Sequence, residues 1–203
     1  MHALALFRRD LRIKDNPALT AAMQHGNAVA LYVLDDEADG RPLGGAARWW
    51  LHHAIARLQG QLDAIGVPLV LMQGLQNDVA EAIVAQLQAD AVFWNRRYTP
   101  WGIAADAELK SRLRANSISA ESFAGAYLRE PWEVQTTQGG WYKVFTPFYK
   151  ASMALGEPSY PLPAPAPQPK PALCPLGQTL ESLRLLPTKP DWAGGLRLSL
   201  IHI

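Results

Sequence analysis

The hydrophobic positions at the start of the chain form a short unbroken run that ends abruptly in charge. Residues 4–7 are apolar, and residues 8–10 are two arginines and an aspartate, which is typical of a buried strand where it leaves a sheet. Asn16 and Pro17 favour a helix start, because Asn16 can cap a helix and Pro17 needs no amide partner at its first position. The segment therefore predicts a strand, a charged loop and a helix.

The same alternation continues along the chain to residue 123. Further apolar, strand-like runs lie at 28–34, 68–72, 91–94 and 117–123, and helices are predicted at 17–25, 46–65, 77–87 and 103–114. Because parallel strands need helical crossovers, this alternation predicts an α/β fold. We expect a doubly wound, five-stranded, parallel, Rossmann-like sheet in the order 3-2-1-4-5.

The pattern changes after residue 125. Residues 125–152 are rich in aromatic side chains and fit neither the helix nor the strand period, and residues 158–175 contain eight prolines. Dense proline favours an extended, semi-rigid linker over a packed element; a proline-rich ligand for a partner protein is the alternative. The predicted division is an α/β domain at 1–125, an aromatic-rich exit segment packing on it at 126–156, a proline-rich interdomain linker at 157–189 and the start of a further domain at 190–203.

Composition narrows the function classes. Hydrophobic residues make up 49% of the chain, and the 19 basic and 18 acidic residues leave no global charge that predicts nucleic-acid binding. The single Cys174 excludes an internal disulfide and a cysteine-rich metal site. No apolar stretch has the length of a signal peptide or of a membrane span. We therefore expect a cytoplasmic protein without a membrane partner, and a monomer.

Charged and polar side chains follow the first and fourth predicted strands. In the order 3-2-1-4-5 these strands are neighbours where the strand order reverses, and ligands bind at the carboxyl edge there. Residues 7–9 then face residues 95–98, whose arginines suit an anionic or planar ligand. Asp35 and Arg48 are expected to close a third side. The alternative is that these charges pair with one another and with Asp10.

The sequence lacks the motifs of other common kinds of catalytic or binding site. The chain contains no G-x-G-x-x-G or G-x-x-x-x-G-K-[ST] phosphate loop, and no serine stands in a G-x-S-x-G setting. His52 and His53 are adjacent on a predicted helix and so point to different faces, which does not suit joint metal binding. The candidate chemistry therefore rests on arginines, carboxylates and aromatic rings.

Four stretches of the sequence are similar to motifs of one known family. Residues 6–19 read LFRRDLRIKDNPAL, residues 48–51 read RWWL, residues 95–100 read NRRYTP and residues 140–149 read GWYKVFTPFY. In this order they resemble the N-terminal α/β domain of the DNA photolyase and cryptochrome family, nearest to its bacterial cyclobutane-dimer repair branch. The resemblance covers residues 1–197.

The resemblance implies a division of labour between two domains. The N-terminal domain holds an antenna chromophore, methenyltetrahydrofolate or 8-hydroxy-deazaflavin, and a C-terminal helical domain binds FAD and the pyrimidine dimer that is flipped out of damaged DNA. The antenna passes excitation to the reduced flavin, which donates an electron to split the dimer. By position, the resemblance assigns to the antenna site Phe7, Arg8, Arg9, Asp10, Leu34, Asp35, Arg48, Asn95, Arg97 and Tyr98. It carries over no catalytic residue and no metal ligand.

The resemblance weakens at the end of the chain. Residues 189–197 still resemble the approach to the helical domain, whereas residues 198–203 do not continue the pattern. Family members are much longer than this chain. We therefore expect the antenna-binding front half of a light-driven DNA repair enzyme, inactive in repair alone, and we expect its last six residues to be foreign to the fold.

Two other function classes stay open. A blue-light signalling protein of the cryptochrome type is expected to have the same front half, so the sequence does not separate it from a repair enzyme. A stand-alone nucleotide-binding α/β protein, unrelated to light, is favoured by the missing second half and by the absence of a basic patch.

Overall fold

A computed structural model describes residues 1–36 and 42–195 of the chain. Five strands, β1 (His2–Phe7), β2 (Asn27–Leu34), β3 (Leu69–Gln73), β4 (Ala91–Asn95) and β5 (Ser119–Phe123), form one sheet in the order β3-β2-β1-β4-β5. All neighbouring strands are parallel, and Ala5 of β1 pairs with Ala30 of β2 on one side and with Phe93 of β4 on the other. The predicted fold class and strand order are confirmed.

Helices cover both faces of the sheet. The helices of the described chain are α1 (Pro17–His25), α2 (Gly45–Ala64), α3 (Gln76–Leu87), α4 (Pro100–Ala115) and α5 (Phe145–Ala154). Side chains of β1 alternate between the faces: Phe7 packs with residues of α1 and α2, whereas Leu6 packs with residues of α3 and α4. Because both faces are buried, the central strands are apolar at nearly every position, which explains their unbroken hydrophobic runs.

Side-chain caps set the starts of two helices. Asn16 caps α1 as predicted, since its Oδ1 accepts a hydrogen bond from the Leu19 amide at 3.1 Å. The Thr99 hydroxyl accepts one from the Gly102 amide at 3.3 Å, and Pro100 is the first residue of α4. α4 therefore begins earlier than its apolar spacing predicts, because a cap followed by proline starts a helix whether or not the first turn is buried.

The aromatic segment contains a helix that its hydrophobic pattern does not reveal. α5 occupies Phe145–Ala154, where the sequence predicts neither helix nor strand, and that prediction is wrong. Apolar and aromatic residues are too dense along 141–149 for a period to stand out.

The proline-rich segment is extended but packs on the rest of the structure. We call residues 157–185 the strap. The Gln168 amide donates to the Ile65 carbonyl at 3.1 Å, and the Gln178 amide donates to the Leu71 carbonyl at 2.7 Å. Near its end the strap forms a short 3-10 helix at Glu181–Leu183 and buries three leucines in the core between the sheet and α2, namely Leu180, Leu183 and Leu185. The domain boundaries at 125, 156 and 189 stay predictions.

Gly66 makes the close approach of the strap possible. Its φ is +79°, and an added Cβ would lie 1.8 Å from the Gln168 carbonyl oxygen. Any side chain at this position therefore collides with the strap backbone and also strains its own backbone.

The foreign ending expected at residues 198–203 lies outside the described residues, as does the greater part of the further domain whose start is expected at 190–203. Within the described chain, no helix combines the length and the apolar character that a membrane span requires.

Candidate functional site

The carboxyl ends of β1, β2 and β4 form the sheet edge that the sequence marks with charge. β1 lies between the other two strands, so the loops that follow all three leave the sheet side by side. The strand order reverses between β1 and β4, which is where doubly wound sheets bind ligands. Two of the ten predicted site residues lie in the core, and the other eight are distributed along this edge.

Phe7 and Leu34 are the two core residues. Each is the last residue of its strand, and both pack in the cluster beneath α1 and α2. They present no polar group at the edge. Their part in any site is therefore to form its apolar floor.

Asn95 ties the end of β4 to the loop after β1. Its buried side-chain amide donates to Asp10 Oδ2 at 2.6 Å and to Asn16 Oδ1 at 2.9 Å, and its Oδ1 accepts a hydrogen bond from the Ala18 amide at 3.3 Å. One side chain thus fixes β4, the charged loop and the first turn of α1 together. Asn95 and Asp10 are brought together as predicted, but by bonds within the protein.

Arg8 and Arg97 converge on one carboxylate of α4. Arg8 Nη1 lies 2.8 Å from Asp106 Oδ1, and Arg97 donates to the same oxygen through Nε at 3.2 Å and Nη2 at 2.8 Å. Arg8 also donates to the Asn95 carbonyl at the end of β4. This network of two arginines and one aspartate fills the point where the strand order reverses.

Burial of this network shapes its electrostatics. The side chain of Arg8 is only 8% exposed and that of Asp106 is 12% exposed. Burial lowers the pKa of the Arg8 guanidinium, while the Asp106 carboxylate opposes that effect. Arg8 therefore forms an ion pair within the protein, in agreement with the alternative stated above, in which these charges pair with one another.

Arg48 lies in the first turn of α2 and faces the end of β2. Its guanidinium pairs with the Asp36 carboxylate, and its Nε donates to the Leu43 carbonyl at 3.1 Å. The cap position of α2 is Gly44, and no side chain among the described residues caps the helix there. The first turn of α2 thus combines a guanidinium with amide groups that carry no side-chain cap, which is an arrangement that favours anionic groups.

Asp35 contacts a different helix from the one that carries Arg48. Its Oδ2 accepts a hydrogen bond from the Gln76 amide at 2.9 Å, so it caps the start of α3 on the opposite face of the sheet. The structure therefore does not bring Asp35 and Arg48 together on a single side of one cleft. Arg9 is exposed and lies near Tyr32 of β2, where its positive charge acts to lower the pKa of the Tyr32 hydroxyl.

Tyr32 is a buried polar residue at this edge that the sequence prediction missed. Burial, reinforced by the negative charge of Asp36, raises the pKa of Tyr32 to about 12. Its phenol therefore stays protonated at neutral pH. The residue stands within an apolar strand run, so no local sequence signal marks it as a site residue.

Tyr98 lies at the outer side of the edge, against the aromatic segment. Its ring is 4.5 Å from the ring of Tyr127, and burial together with the neighbouring Glu130 raises its pKa to about 12. Arg96 donates from Nε to Glu130 at 3.1 Å and lies over the ring of Trp132 at 5.6 Å. The loop after β4 is thus fastened to the segment that follows β5.

An open cleft of about 270 Å³ lies beside the arginine network, between the start of α3 and the side of α4. Its Arg112 is already paired with three carboxylates, those of Asp78, Glu81 and Glu108. Of the ten predicted site residues only Asp35 and Arg97 line it; the other lining residues are Leu75, Gln76, Asn77, Asp78, Ala105, Glu108 and Arg112. Arg112 is paired with three carboxylates, whereas Arg48 is paired with one among the described residues, so this cleft offers less to an anionic ligand than the start of α2.

Comparison with known proteins gives one consistent result. A family model described as DNA photolyase matches residues 3–170. The deoxyribodipyrimidine photo-lyase of Agrobacterium fabrum is 43% identical over 187 residues, which are 92% of this chain and 39% of that protein. Cryptochrome-1 of Arabidopsis thaliana is 33% identical over 163 residues, 79% of this chain and 24% of that protein.

The fold comparison agrees. The crystal structure of a bacterial class III photolyase from Agrobacterium tumefaciens superposes with a TM-score of 0.89 at 42% identity, covering 95% of this chain and 40% of that one. This chain therefore spans about two fifths of the length of the photolyases to which it is similar.

Proposed function

Since the chain belongs to the DNA photolyase family, we propose that it is the N-terminal, light-harvesting part of a deoxyribodipyrimidine photo-lyase. In this proposal it binds an antenna chromophore, methenyltetrahydrofolate or 8-hydroxy-deazaflavin, at the carboxyl edge of the sheet. The rest of the longer protein holds FAD and binds the damaged DNA.

The observation that carries the binding proposal is the position of Arg48. It lies on the first turn of α2, beside the end of β2, with its guanidinium partly exposed and paired with only one carboxylate, Asp36, among the described residues. Both candidate chromophores have a planar, conjugated ring, and methenyltetrahydrofolate has in addition an anionic glutamate tail. A guanidinium can stack on the ring or donate hydrogen bonds to the carboxylates of that tail, and the start of α2 adds amide donors.

Neighbouring side chains fit the same ligand. Phe7 and Leu34 supply an apolar floor, and the protonated Tyr32 and the exposed Arg9 add a phenol and a second positive charge. The ordered Arg8–Asp106–Arg97 network limits how far a ligand can enter between β1 and β4. We therefore expect the ligand on the α2 side of the edge. When bound, the chromophore would supply absorption of blue light and transfer of the excitation to FAD.

The test is an absorbance titration of the purified chain with methenyltetrahydrofolate and, separately, with 8-hydroxy-deazaflavin. We expect one of them to bind at one equivalent, and we expect Arg48→Ala to weaken binding about 10-fold or more, because a charge-assisted hydrogen bond contributes roughly 1.5–3 kcal/mol. The melting temperature should fall less than it does on removing one partner of a fully buried pair, since the side chains of Arg48 and Asp36 are both partly exposed.

Arg57→Ala is the matched control, because Arg57 is exposed on the same helix away from its first turn. Its affinity for the chromophore should equal that of the unchanged chain. Failure of both chromophores to bind, or equal affinities of the Arg48→Ala and unchanged chains, would contradict the proposal.

A blue-light signalling role is the second candidate. It is favoured by the 33% identity with Cryptochrome-1 of Arabidopsis thaliana. The two candidates predict different outcomes for a chimera in which this chain replaces the matched part of the Agrobacterium fabrum photo-lyase. Repair of pyrimidine dimers by the chimera under blue light supports the repair role, whereas chromophore binding without repair favours signalling.

A further inference from the structure

α5 carries an apolar face that the described structure leaves largely uncovered. Phe145, Phe148, Tyr149 and Met153 recur at three- and four-residue spacing and so lie on one side of the helix. Phe145 is 72% exposed and Met153 is 60% exposed, and no residue of α5 is buried against any described part of the chain. We call these four residues the α5 face.

The helix is too short to be stable without packing. It has ten residues, its cap position is Val144, and no described side chain caps it. Isolated helices shorter than about 12–15 residues are marginal in water even with strong helix formers, and most helical stability in proteins comes from packing of an apolar face. Phe145, Thr146, Pro147, Phe148 and Tyr149 are not strong helix formers. α5 therefore needs a surface that covers it.

The described contacts of α5 lie just beyond its C-terminal end and at one ring of the face, that of Phe148. Arg129 reaches the chain just beyond the helix, where its Nη2 donates to the Leu155 carbonyl at 3.4 Å and to the Gly156 carbonyl. The ring of Tyr142 lies 6.4 Å from that of Phe148. These contacts position the helix while Phe145 and Met153 stay mostly exposed.

The family comparison identifies what can cover the α5 face. The family model matches residues 3–170, so it includes α5, and α5 is part of what the longer relatives share. The matched region is 39% of the Agrobacterium fabrum photo-lyase. The larger part of that relative therefore lies outside the matched region, and the α5 face is an apolar surface on which that part can pack.

We propose that α5 is a docking helix. Its face packs against an apolar surface of the polypeptide that, in the longer relatives, follows the region matched here, and the helix becomes stable only when docked. This inference rests on family membership and does not require a chromophore, so its failure would leave the antenna proposal standing, and the reverse also holds.

Hydrogen exchange tests the proposal on two proteins. In this chain alone we expect the amides of α5 to exchange within about tenfold of the rate for an unfolded peptide, whereas amides of β1 and β4 are strongly protected. In the full-length Agrobacterium fabrum photo-lyase we expect the aligned helix to be protected at least 100-fold more. Equal protection in the two proteins would overturn the proposal.

Substitutions on the α5 face locate the contact. In the chimera that joins this chain to the remainder of the Agrobacterium fabrum photo-lyase, Phe145→Ser with Met153→Ser should lower the melting temperature by several degrees. The same pair should leave the melting temperature of the chain alone unchanged. Leu176→Ser, at a site that is 93% exposed in the strap, is the control and should change neither protein.

Two results would overturn the assignment of the partner. Loss of stability in the isolated chain on changing the α5 face would show that the face is already packed. Protection of α5 that rises with the concentration of the chain, together with dimers in analytical ultracentrifugation, would show that a second copy covers the face. If the chimera does not fold, the exchange comparison with the full-length relative still decides the matter.

Discussion

Asp106 holds two arginines at once. Its carboxylate accepts hydrogen bonds from Arg8 and Arg97 and is itself almost buried. Asp106→Asn keeps the size of the side chain but removes the negative charge, which leaves a buried guanidinium without its counter-charge. We expect the free energy of unfolding to fall by about 3–5 kcal/mol, as when one partner of a buried pair is removed, in urea unfolding monitored by circular dichroism.

The control for this substitution is Asp78→Asn. Asp78 also pairs with an arginine, at 2.8 Å, but its side chain is 59% exposed and Arg112 keeps two other carboxylates. The expected loss is below about 1 kcal/mol, as for other surface ion pairs. Similar losses in both variants would show that the arginine network does not depend on Asp106.

Tyr32 gives the protein a specific sensitivity to alkaline pH. Burial first, and then the charge of Asp36, raises the pKa of Tyr32 from its ordinary value of 10.0 to about 12 in the folded protein. The folded state therefore holds the phenol proton more tightly than the unfolded state. The resulting stability is fully present below pH 10.0 and is lost as the pH rises to about 12.

Replacing Tyr32 by phenylalanine removes this pH-dependent contribution to stability. Between pH 9 and pH 11 we expect the unchanged chain to lose about 1 kcal/mol more unfolding free energy than Tyr32→Phe, by proton linkage. Urea unfolding at the two pH values measures the difference. Tyr160→Phe, at an exposed tyrosine, should follow the unchanged chain; if Tyr32→Phe does so as well, Tyr32 is not the titrating group.

At the residue scale, the sequence predicts a contact between side chains only where the strand order alone brings them together. Arg8, Asp10 and Asn95 follow neighbouring strands, so their convergence is predictable. The role of Asp106 is not predictable, because the direction of its side chain depends on the residue at which α4 begins. The cap at Thr99 places that start before the first apolar residue of the helical pattern. Asp36 stands in a run of acidic residues, and nothing local distinguishes it from Asp35 as the partner of Arg48.

At the element scale, the strap is part of the core. Leu183 is 2% exposed and packs with residues of the sheet and of α2. Leu183→Ala should lower the free energy of unfolding by about 2–5 kcal/mol, through lost burial and the cavity left behind. Chemical denaturation checks this value.

Leu176→Ala serves as the comparison within the strap. Leu176 lies almost wholly in solvent, and surface substitutions of this kind usually change stability by less than about 0.5 kcal/mol. If Leu183→Ala is equally mild, the strap is a tether lying on the domain and not a part of its core.

The strands and the helices with a buried face are predictable from the sequence, whereas the packing of the strap and the presence of α5 are not. The central strands and α1 to α4 each bury a face, so hydrophobic spacing reveals them. The strap packs through main-chain hydrogen bonds and three leucines near its end, while its prolines indicate only an extended backbone. α5 buries no residue in the described structure, and the aromatic residues that directly precede it hide the spacing of its apolar face.

At the scale of the whole molecule, the sheet order determines which loops can form a site. β1 is central, so the loops after β1, β2 and β4 share one edge, and the sequence predicts this edge correctly. The strand order does not predict which charged residues of this edge contact each other. That depends on the helices: α4 carries Asp106, α2 carries Arg48, and the start of α3 donates a hydrogen bond to Asp35.

The position of the strap has a consequence for synthesis on the ribosome. Domains fold from the N-terminus as they are made, yet the core beneath α2 is completed by Leu180, Leu183 and Leu185, which are translated after all five strands and after α1 to α5. The sheet can pair earlier, but one side of its core stays open until the strap has emerged. In a longer relative, completion of this domain would therefore coincide with the appearance of the next part of the nascent polypeptide.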